Sequence, residues 1–498
     1  MSKTRSTFFL GLARTLGILV QLISVPIVWD VLGKEMFGVC FFLIAVGRWV
    51  SLIDIGYADG AQRLITRAFD SGDREQGFAV FFTHLSLILL HAIVGFSVFV
   101  GLAWVVHIPE IHATGAPLSL FFAGACVFAA QYLFQGITMY FNASRQFRYL
   151  SLANGSQFLI SGLLALGLTL YYRTPQAYLA GFAIGNGAIF VFNAIRAVSQ
   201  ARAEGAHPTF DTGAFKYCFG FGAKLYLTRV SSVTIGTFDR IAITNVLGPA
   251  QLTPYANAAR IPEAANEALP LNQTLLPDYT RAAMEGERQF AEIVDRGTRI
   301  SLMAGCGLIF VPAAFGGPVL HLWLGSKYVP EMAVIMALIG LFRAFETFFG
   351  GLAQAILAHG TPQKVTWLTM VNAALILAFT YPVAAAWGIV GVAALRVAIH
   401  IVQFVPVCWY LGRFVVSGIA FLPWVERLGG TIGVAGVFAA GGYWASHTEI
   451  MASHPWLALL AAPLAAAIFF YVTDRLGLAP IPTGIKKRVR ALVVRQRA

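Results

Sequence analysis

The chain has 498 residues, of which 58% are hydrophobic and only 12% are charged, and its mean hydropathy is +0.71. Soluble domains contain about 25% charged residues, so this composition excludes a soluble globular protein and indicates a polytopic membrane protein. The net charge of +12 would suggest nucleic-acid binding in a soluble protein. Here the distribution of the charge between loops explains it better, and we expect no nucleic-acid partner.

Apolar segments long enough to cross a bilayer follow one another along the whole chain. At about 20 residues per span, we predict an all-α fold with about fourteen transmembrane helices, near residues 7–29, 36–59, 77–106, 118–142, 149–171, 176–198, 217–246, 250–277, 298–323, 330–358, 363–386, 388–411, 422–445 and 455–473. Most of the 35 Lys and Arg residues lie in loops on the side of the N-terminus, whereas the opposite loops contain only Lys34, Arg173 and Lys327. Because basic loops stay in the cytoplasm, we expect both termini there.

Ionisable residues interrupt several of these apolar segments. The first two helices carry Arg14, Arg48 and Asp54 close to mid-membrane by residue count. A charged side chain at the bilayer centre costs roughly 2.5–3.5 kcal/mol on insertion scales, so these groups must face protein or water. Helices four to six also contain amides, which we interpret as hydrogen-bonding groups between helices rather than sugar ligands; they are Gln131, Gln135, Asn142, Asn154 and Gln157.

A polar segment and an internal repeat divide the chain into two halves. Val31-Leu32-Gly33 follows the first helix and Val246-Leu247-Gly248 follows the seventh, and Arg14 and Arg229 precede these glycines by the same number of residues. An even number of helices separates the copies, which indicates parallel repeats. We predict an N-terminal lobe at 1–200, a cytoplasmic linker at 201–216, a C-terminal lobe at 217–413, two further helices at 414–475 and a basic cytoplasmic tail at 476–498.

The second half carries most of the remaining intramembrane charge. The seventh and eighth helices contain Arg229, Asp239, Arg240, Arg260, Glu263 and Glu267, the tenth contains Arg343 and Glu346, and the twelfth contains Arg396. Arg343 and Glu346 are one turn apart, which leaves a structural salt bridge and a ligand site as alternatives. Basic residues outnumber acids in these spans, so we expect a polar, mainly cationic cavity inside a helical bundle.

The candidate residues fall into two groups. We predict substrate binding by Arg14, Arg48, Arg229, Arg240, Arg260, Arg343 and Arg396, and ion pairing or coupling-ion binding by Asp54, Asp239, Glu263, Glu267 and Glu346. The alternative for any one of them is a fixed ion pair that neutralises a buried charge.

Several function classes are disfavoured by what the sequence lacks. The predicted outside loops are short, whereas membrane glycosyltransferases, polymerases and ligases need larger ones, so we predict no catalytic residue. The sequence has no P-loop, no channel filter and no cysteine pair with metal or redox spacing, and we predict no metal and no cofactor. A secondary transporter or flippase, not an enzyme, remains.

Two regions resemble a known family at residues already named. The first reads Val31-Leu32-Gly33-Lys34-Glu35-Met36-Phe37-Gly38 and then Asp54-Ile55-Gly56, and the second reads Asp239-Arg240, Leu247-Gly248-Pro249 and Arg260-Ile261-Pro262. Both are similar to motifs of the polysaccharide transport branch, with its Wzx-type O-antigen flippases, of the multidrug/oligosaccharidyl-lipid/polysaccharide (MOP) exporter superfamily, to which the MATE transporters also belong.

The resemblance implies two six-helix lobes in a pseudo-two-fold parallel repeat around one central cavity, with two additional C-terminal helices. It also implies alternating access that moves an undecaprenyl-pyrophosphate-linked oligosaccharide from the cytoplasmic to the periplasmic leaflet of a bacterial inner membrane. Further expected partners are membrane lipids and polysaccharide polymerase or chain-length proteins. A lipid II-type flippase and a MATE-like drug or cation antiporter are the alternatives.

Overall fold

The computed structural model describes residues 3–267, 271–416 and 421–479, and the side chains of residues 3–16, 18, 148, 224, 271–274, 277, 362 and 414 lie outside the described part. All regular elements in these ranges are helical. The α-helices are α1 Lys3–Val50, α2 Tyr57–Asp70, α3 Arg74–Gly101, α4 Pro109–Ala113, α5 Pro117–Ala143, α6 Phe147–Tyr172, α7 Pro175–Ala203, α8 Thr212–Leu247, α9 Pro249–Glu267, α10 Leu271–Glu285, α11 Glu287–Gly305, α12 Val311–Ala313, α13 Gly316–Leu324, α14 Glu331–Ala358, α15 Pro362–Phe414, α16 Phe421–Ser446, α17 Glu449–Ser453 and α18 Ala458–Arg475.

Eight helical segments of the described ranges are long and apolar enough to cross a membrane. They are Leu19–Ile53, Arg74–Trp104, Pro117–Ala143, Tyr149–Tyr172, Pro175–Ala203, Glu331–Ala358, Gln363–Arg413 and Pro455–Arg475. A ninth span forms if Glu287–Ala313 and Gly316–Lys327, bent by 58°, are counted together. The all-helical, polytopic membrane fold is thus confirmed, whereas the number fourteen stays a prediction.

Glycines break the two longest apolar segments. Gln363–Arg413 has 51 residues, which as one straight helix would measure about 77 Å, far more than the ~30 Å hydrocarbon core. Gly388 interrupts α15 with φ 61° and ψ −156°, and Gly33 interrupts α1 with φ 78° and ψ 169°. These φ values are readily accessible only to glycine. Each segment therefore contains two successive helices, as the predicted spans near 7–29 and 36–59 and near 363–386 and 388–411 require.

The two glycines of the predicted repeat share one backbone conformation. Gly248, which ends α8, has φ 84° and ψ 160°, close to the φ 78° and ψ 169° of Gly33. The repeated Val-Leu-Gly sequence thus makes the same turn between two helices at both places. Pro249 then occupies the first position of α9, where its missing N–H leaves no hydrogen bond unmade.

The chain divides into two compact units, Met1–Thr253 and Pro254–Ala498. In the first unit, Tyr57, Phe81, Tyr140 and Cys218 are at most 3% exposed and belong to one core. Helices α2 and α8 approach closely because glycines face each other: a Cβ on Gly222 would lie 2.5 Å from the carbonyl carbon of Gly56. Such small-residue contacts let helix backbones pack tightly in membranes.

The second unit contains its own core, to which the C-terminal helices α16 and α18 contribute. Trp424 of α16 and Phe469 of α18 are fully buried in a cluster with residues of α11, α14 and α15. The indole Nε1 of Trp424 donates a hydrogen bond of 3.2 Å to the Thr298 hydroxyl on α11. The two helices predicted to follow the C-terminal lobe are therefore integral parts of this unit.

Candidate functional site

A polar cavity of about 200 Å³ lies in the first unit, between α1, α5 and α8. Its lining residues are Gly47, Arg48, Ser51, Phe128, Gln131, Tyr132, Gln135, Arg229 and Val233. Gln131 is close to the midpoint of the apolar span Pro117–Ala143, so by residue count the cavity lies near mid-membrane. Two arginines predicted to bind substrate thus line one cavity at the depth where their charge is most costly to expose to lipid.

The end of α1 positions Arg48 at this cavity. Arg48 is in the last turn of α1, and the Ser51 hydroxyl donates a 2.6 Å hydrogen bond to its carbonyl oxygen. A short 3₁₀ turn, Ser51–Ile53, follows, and Gly56 with φ 76° then redirects the chain into α2. The Arg48 side chain is exposed and lines the cavity.

Arg229 reaches the same cavity from α8 and is held by Asp54. The Arg229 Nη1 donates to Asp54 Oδ2 at 3.0 Å, and the Tyr57 N–H donates to Asp54 Oδ1, also at 3.0 Å. The Asp54 side chain is only 3% exposed, whereas that of Arg229 is 26% exposed. Gly222 lies about two helical turns before Arg229, so the close contact between Gly56 and Gly222 brings this face of α8 against Asp54.

Asp54 engages only one of the three guanidinium nitrogens of Arg229. Within the described ranges its Nε and Nη2 groups have no hydrogen-bond partner, and the residue lines the cavity. An arginine carries five N–H donors on three nitrogens in one plane. Asp54 binds only the Nη1 nitrogen of Arg229. The arrangement therefore leaves donors available to an anion in the cavity while Asp54 fixes the position of the guanidinium.

Uncharged polar side chains of α5 complete the cavity wall. Phe128, Gln131, Tyr132 and Gln135 are about one turn apart and share a face of the helix. Our interpretation of helix-to-helix hydrogen bonding is right for Gln157, which donates to Asn186 at 2.6 Å. It is wrong for Gln131 and Gln135, whose amides line the cavity and bond to no other described residue. The sequence feature that could have indicated a cavity wall is the spacing of one helical turn between these two amides in an apolar span.

A second charged cluster lies in the second unit. Arg343 of α14 donates from Nη2 to Glu263 of α9 at 2.9 Å and from Nη1 to Glu346 at 2.5 Å. The salt-bridge alternative for Arg343 and Glu346 is therefore observed. Asn266 Nδ2 lies 3.5 Å from Glu346 Oε2, and the Thr347 hydroxyl donates to Asn266 at 3.0 Å. This network ties α9 to α14.

Arg396 of α15 lies beside this cluster against an aromatic ring. It is 4% exposed, and its guanidinium carbon lies 4.1 Å from the centre of the Phe342 ring. Arg343 approaches the same ring at 5.1 Å. A desolvated cation–π contact of this kind is worth about 2 kcal/mol and lowers the cost of a buried guanidinium.

The remaining predicted residues lie on α1, α8 and α9. On α8, Asp239 is 3% exposed and accepts a 2.9 Å hydrogen bond from the backbone N–H of Arg240, whose side chain is half-buried. On α9, Arg260 is half-buried and Glu267 is exposed. The Arg14 side chain lies outside the described part. No group of three His, Cys, Asp or Glu side chains in the described ranges could hold a metal ion.

Two transporters of known structure are similar to this chain in fold. A lipid II flippase, MurJ, in an inward closed conformation has a TM-score of 0.61 at 14% identity, with 95% of this chain and 98% of that chain covered. An inward-facing multidrug resistance transporter of the MATE family, in the MOP superfamily, has a TM-score of 0.58 at 16% identity, with 80% and 95% covered. The chain thus has the fold of the MOP transporters, and its relatives are transporters and flippases rather than enzymes.

Sequence comparison is more specific. A candidate O-antigen transporter of Shigella flexneri is 22% identical over 382 residues, which cover 73% of this chain and 86% of that protein. Residues 31–333 match the family model described as polysaccharide biosynthesis protein, and this range contains both stretches that suggested the resemblance. The chain belongs to the polysaccharide biosynthesis protein family.

Proposed function

We propose that this protein is a flippase that moves an undecaprenyl-pyrophosphate-linked oligosaccharide from the cytoplasmic to the periplasmic leaflet of a bacterial inner membrane. The transported lipid would serve the biosynthesis of a surface polysaccharide such as O-antigen or exopolysaccharide. Family membership and the match to a candidate O-antigen transporter support the pathway. The cavity of the first unit supports the chemistry.

The observation that carries the proposal is the pair of arginines in that cavity. Arg48 and Arg229 line it near mid-membrane, and Arg229 retains donors that no described residue engages. A diphosphate carries about two negative charges, and guanidinium groups bind its oxygens by charge-assisted, bidentate hydrogen bonds. The polyprenyl chain can stay in the bilayer while its headgroup occupies a cavity of this kind.

The mechanism belongs to the same proposal. It comprises alternating access by lobes at residues 1–200 and 217–413, joined by a cytoplasmic linker at 201–216. The proposed architecture also includes two helices at 414–475 and a basic tail at 476–498, with both termini in the cytoplasm. The remaining predicted arginines, Arg14, Arg240, Arg260, Arg343 and Arg396, would assist the passage of the headgroup, and a polymerase and chain-length proteins would take over the product.

A drug or cation antiporter is disfavoured by the charge of the cavity. A cationic substrate needs carboxylates, yet the described lining residues include two arginines and no acid. A lipid II-type flippase would also bind a polyprenyl diphosphate, so the arginines do not distinguish it. The precursor that accumulates in cells without the protein makes that distinction, because a lipid II flippase would hold back peptidoglycan precursors.

The test is complementation of a deletion strain with Arg48→Ala and Arg229→Ala variants at matched protein levels. A charge-assisted hydrogen bond contributes about 1.5–3 kcal/mol, so we expect a loss of surface glycan of at least about tenfold, with lipid-linked glycan accumulating in the membrane. Arg288→Ala is the matched control, since Arg288 is 94% exposed and pairs with Glu292, its neighbour on α11. Wild-type glycan export by both cavity variants would rule the proposal out.

A further inference from the structure

In the first unit, a cation lies over an aromatic ring at one end of the helix pair α6 and α7. The guanidinium carbon of Arg196 on α7 lies 4.2 Å from the centre of the Tyr149 ring on α6. The Tyr149 hydroxyl donates a 2.6 Å hydrogen bond to Oδ1 of the buried Asn193, which fixes the orientation of the ring. Arg196 itself is exposed and forms no ion pair with a carboxylate of the described residues. The ring therefore positions a guanidinium that can still bind an anion.

The second unit contains a similar pair within α15. The Lys364 Nζ lies 5.0 Å from the centre of the Tyr410 ring. The break at Gly388 separates these two residues, so they belong to the two successive helices of that segment. Lys364 is half-buried and, like the arginine of the first unit, forms no ion pair with any carboxylate that the structure describes. This ring too lies beneath a cation that can bind an anion.

The internal repeat relates the two pairs to each other. The two glycines of the repeat are 215 residues apart. The same step leads from Tyr149 to Lys364, and from Arg196 to the residue after Tyr410. The cation and the ring have exchanged helices between the two copies, yet a cation lies over a ring in both. This place in the fold therefore requires the pairing itself rather than one particular residue.

Both pairs lie at the ends of apolar spans. As a straight helix, Tyr149–Tyr172 would be about 36 Å long, which exceeds the ~30 Å hydrocarbon core, so its first residue lies at the edge of the core. Lys364 and Tyr410 lie within three residues of the two ends of Gln363–Arg413. The predicted topology places all these ends on the cytoplasmic side. The cations are therefore at the depth of lipid headgroups.

Exposed apolar side chains flank each cation. Ile195, which directly precedes Arg196, is 64% exposed, and Trp367, one turn after Lys364, is 66% exposed. Apolar side chains exposed on a membrane span contact lipid chains, and tryptophan is enriched at the level of the headgroups. Each place thus combines a positive charge at headgroup depth with an apolar surface beside it. An amphiphile with an anionic head and acyl chains matches both features.

We propose that each pair binds the phosphate of an anionic phospholipid of the surrounding bilayer, with its acyl chains along the neighbouring apolar side chains. Arg196 and Lys364 donate charge-assisted hydrogen bonds to the phosphate oxygens. A zwitterionic lipid carries its own cation, which competes for that phosphate. One protein cation at each place matches one phosphate charge, so phosphatidylglycerol is the ligand that fits. Neither pair lines the cavity between α1, α5 and α8, and the inference does not rest on the proposed function.

The experiment is native mass spectrometry of the full chain in detergent, incubated with phosphatidylglycerol or with phosphatidylcholine of the same acyl chains. We expect wild type to retain two more molecules of phosphatidylglycerol than of phosphatidylcholine. Arg196→Gln and Lys364→Gln should each reduce this excess to one, and the paired variant should abolish it. The affinity of the altered site should fall at least about tenfold, because a charge-assisted hydrogen bond is lost. Arg196→Lys keeps the cation and should retain both lipids.

Arg288→Gln is the matched control, because it removes the same charge from an exposed arginine that pairs with Glu292. It should leave the excess at two. Equal retention of the two lipids by wild type overturns the proposal, as does an unchanged excess in Arg196→Gln and Lys364→Gln. An equal loss in Arg288→Gln would show general attraction to a basic protein and would also overturn it. Displacement of the lipid by an equal concentration of free sn-glycerol 3-phosphate would exclude a contribution of the acyl chains. Because Arg196 and Lys364 lie in different units, one of them still tests the proposal if a variant of the other does not fold.

Discussion

The ion pair between Asp54 and Arg229 permits a quantitative prediction about the first unit. Asp54→Asn keeps an oxygen that can accept the Tyr57 N–H but removes the charge that holds Arg229. Asp54→Ala removes both interactions. Arg229→Ala leaves Asp54, the more deeply buried partner, without its counter-ion. These three variants and their combinations separate the ion pair from the backbone hydrogen bond.

The magnitudes follow from the burial of the two side chains. Exposed ion pairs contribute about 0–1 kcal/mol, whereas breaking a buried pair costs about 3–5 kcal/mol. Asp54 is 3% and Arg229 26% exposed, so solvent screens only one partner. We expect Asp54→Asn to cost about 2 kcal/mol and Asp54→Ala about 1 kcal/mol more, for the lost hydrogen bond to Tyr57. Arg229→Ala should cost about 3 kcal/mol, because it strands a buried carboxylate.

The assay is a double-mutant cycle on the unfolding free energy, measured in mixed detergent micelles. We expect a coupling energy of about 2 kcal/mol between Asp54 and Arg229. The same cycle on Arg288 and Glu292, whose side chains are 94% and 67% exposed, should give less than about 0.5 kcal/mol. If Asp54 and Arg229 variants are additive within about 0.5 kcal/mol, the pair does not hold the arginine and the reasoning is refuted.

Three further predictions use other parts of the fold. Gly222→Ala should destabilise the protein by about 1–3 kcal/mol, since its Cβ would lie 2.5 Å from the Gly56 carbonyl carbon. Gly220→Ala, with open space on the same helix, should be neutral or stabilising by up to about 1 kcal/mol, and thermal unfolding compares the two. Arg343→Met should lower the free energy of unfolding by about 3–5 kcal/mol in the same measurement, because Glu263 and Glu346 lose the cation that they share. An unchanged unfolding midpoint would contradict the ion pairs of Arg343 with these two glutamates. Asp211 caps α8 with two backbone hydrogen bonds, of 2.8 and 2.9 Å, and Asp211→Ala should cost about 1 kcal/mol at pH 7. The backbone N–H of Ala214 holds the pKa of the Asp211 carboxyl below its usual value, so this stabilisation is present above the unfolded pKa of about 3.9 and is lost as the pH falls through the folded pKa. The difference from wild type should therefore shrink below about pH 4, and a difference that is constant from pH 7 to pH 3 would contradict the cap.

The fold and the charged helices could be predicted from the sequence because the bilayer imposes simple rules. Length and hydropathy predict the spans, and the breaks at Gly33 and Gly388 fall between predicted helices. Arg343 and Glu346 are one turn apart, so their pairing follows from helical geometry alone. Each of these predictions uses residues that are close in sequence.

The partners across helices could not be predicted in this way. Asp54 and Arg229 are 175 residues apart, and no local pattern relates them. Their contact depends on how closely α2 and α8 approach, which Gly56 and Gly222 determine through backbone atoms alone. The same limit explains the error at Gln131, since an amide in an apolar helix has the same sequence signature whether it faces another helix or a cavity.

The two arginine sites differ in how many guanidinium nitrogens are already bound to carboxylates. In the second unit, Arg343 donates from both terminal nitrogens to glutamates, and its Nε is buried without a partner in the described ranges. An anion would have to displace a carboxylate to bind there. In the first unit, Arg229 gives one nitrogen to Asp54 and retains the others beside Arg48. An anion can therefore bind the remaining donors of Arg229 without displacing Asp54, so the first site is where the headgroup should bind first. Arg343 then serves to join α9 to α14 unless one of its glutamates is protonated, and Glu263→Gln, which weakens that hold on Arg343, should increase anion binding in the second unit rather than reduce it.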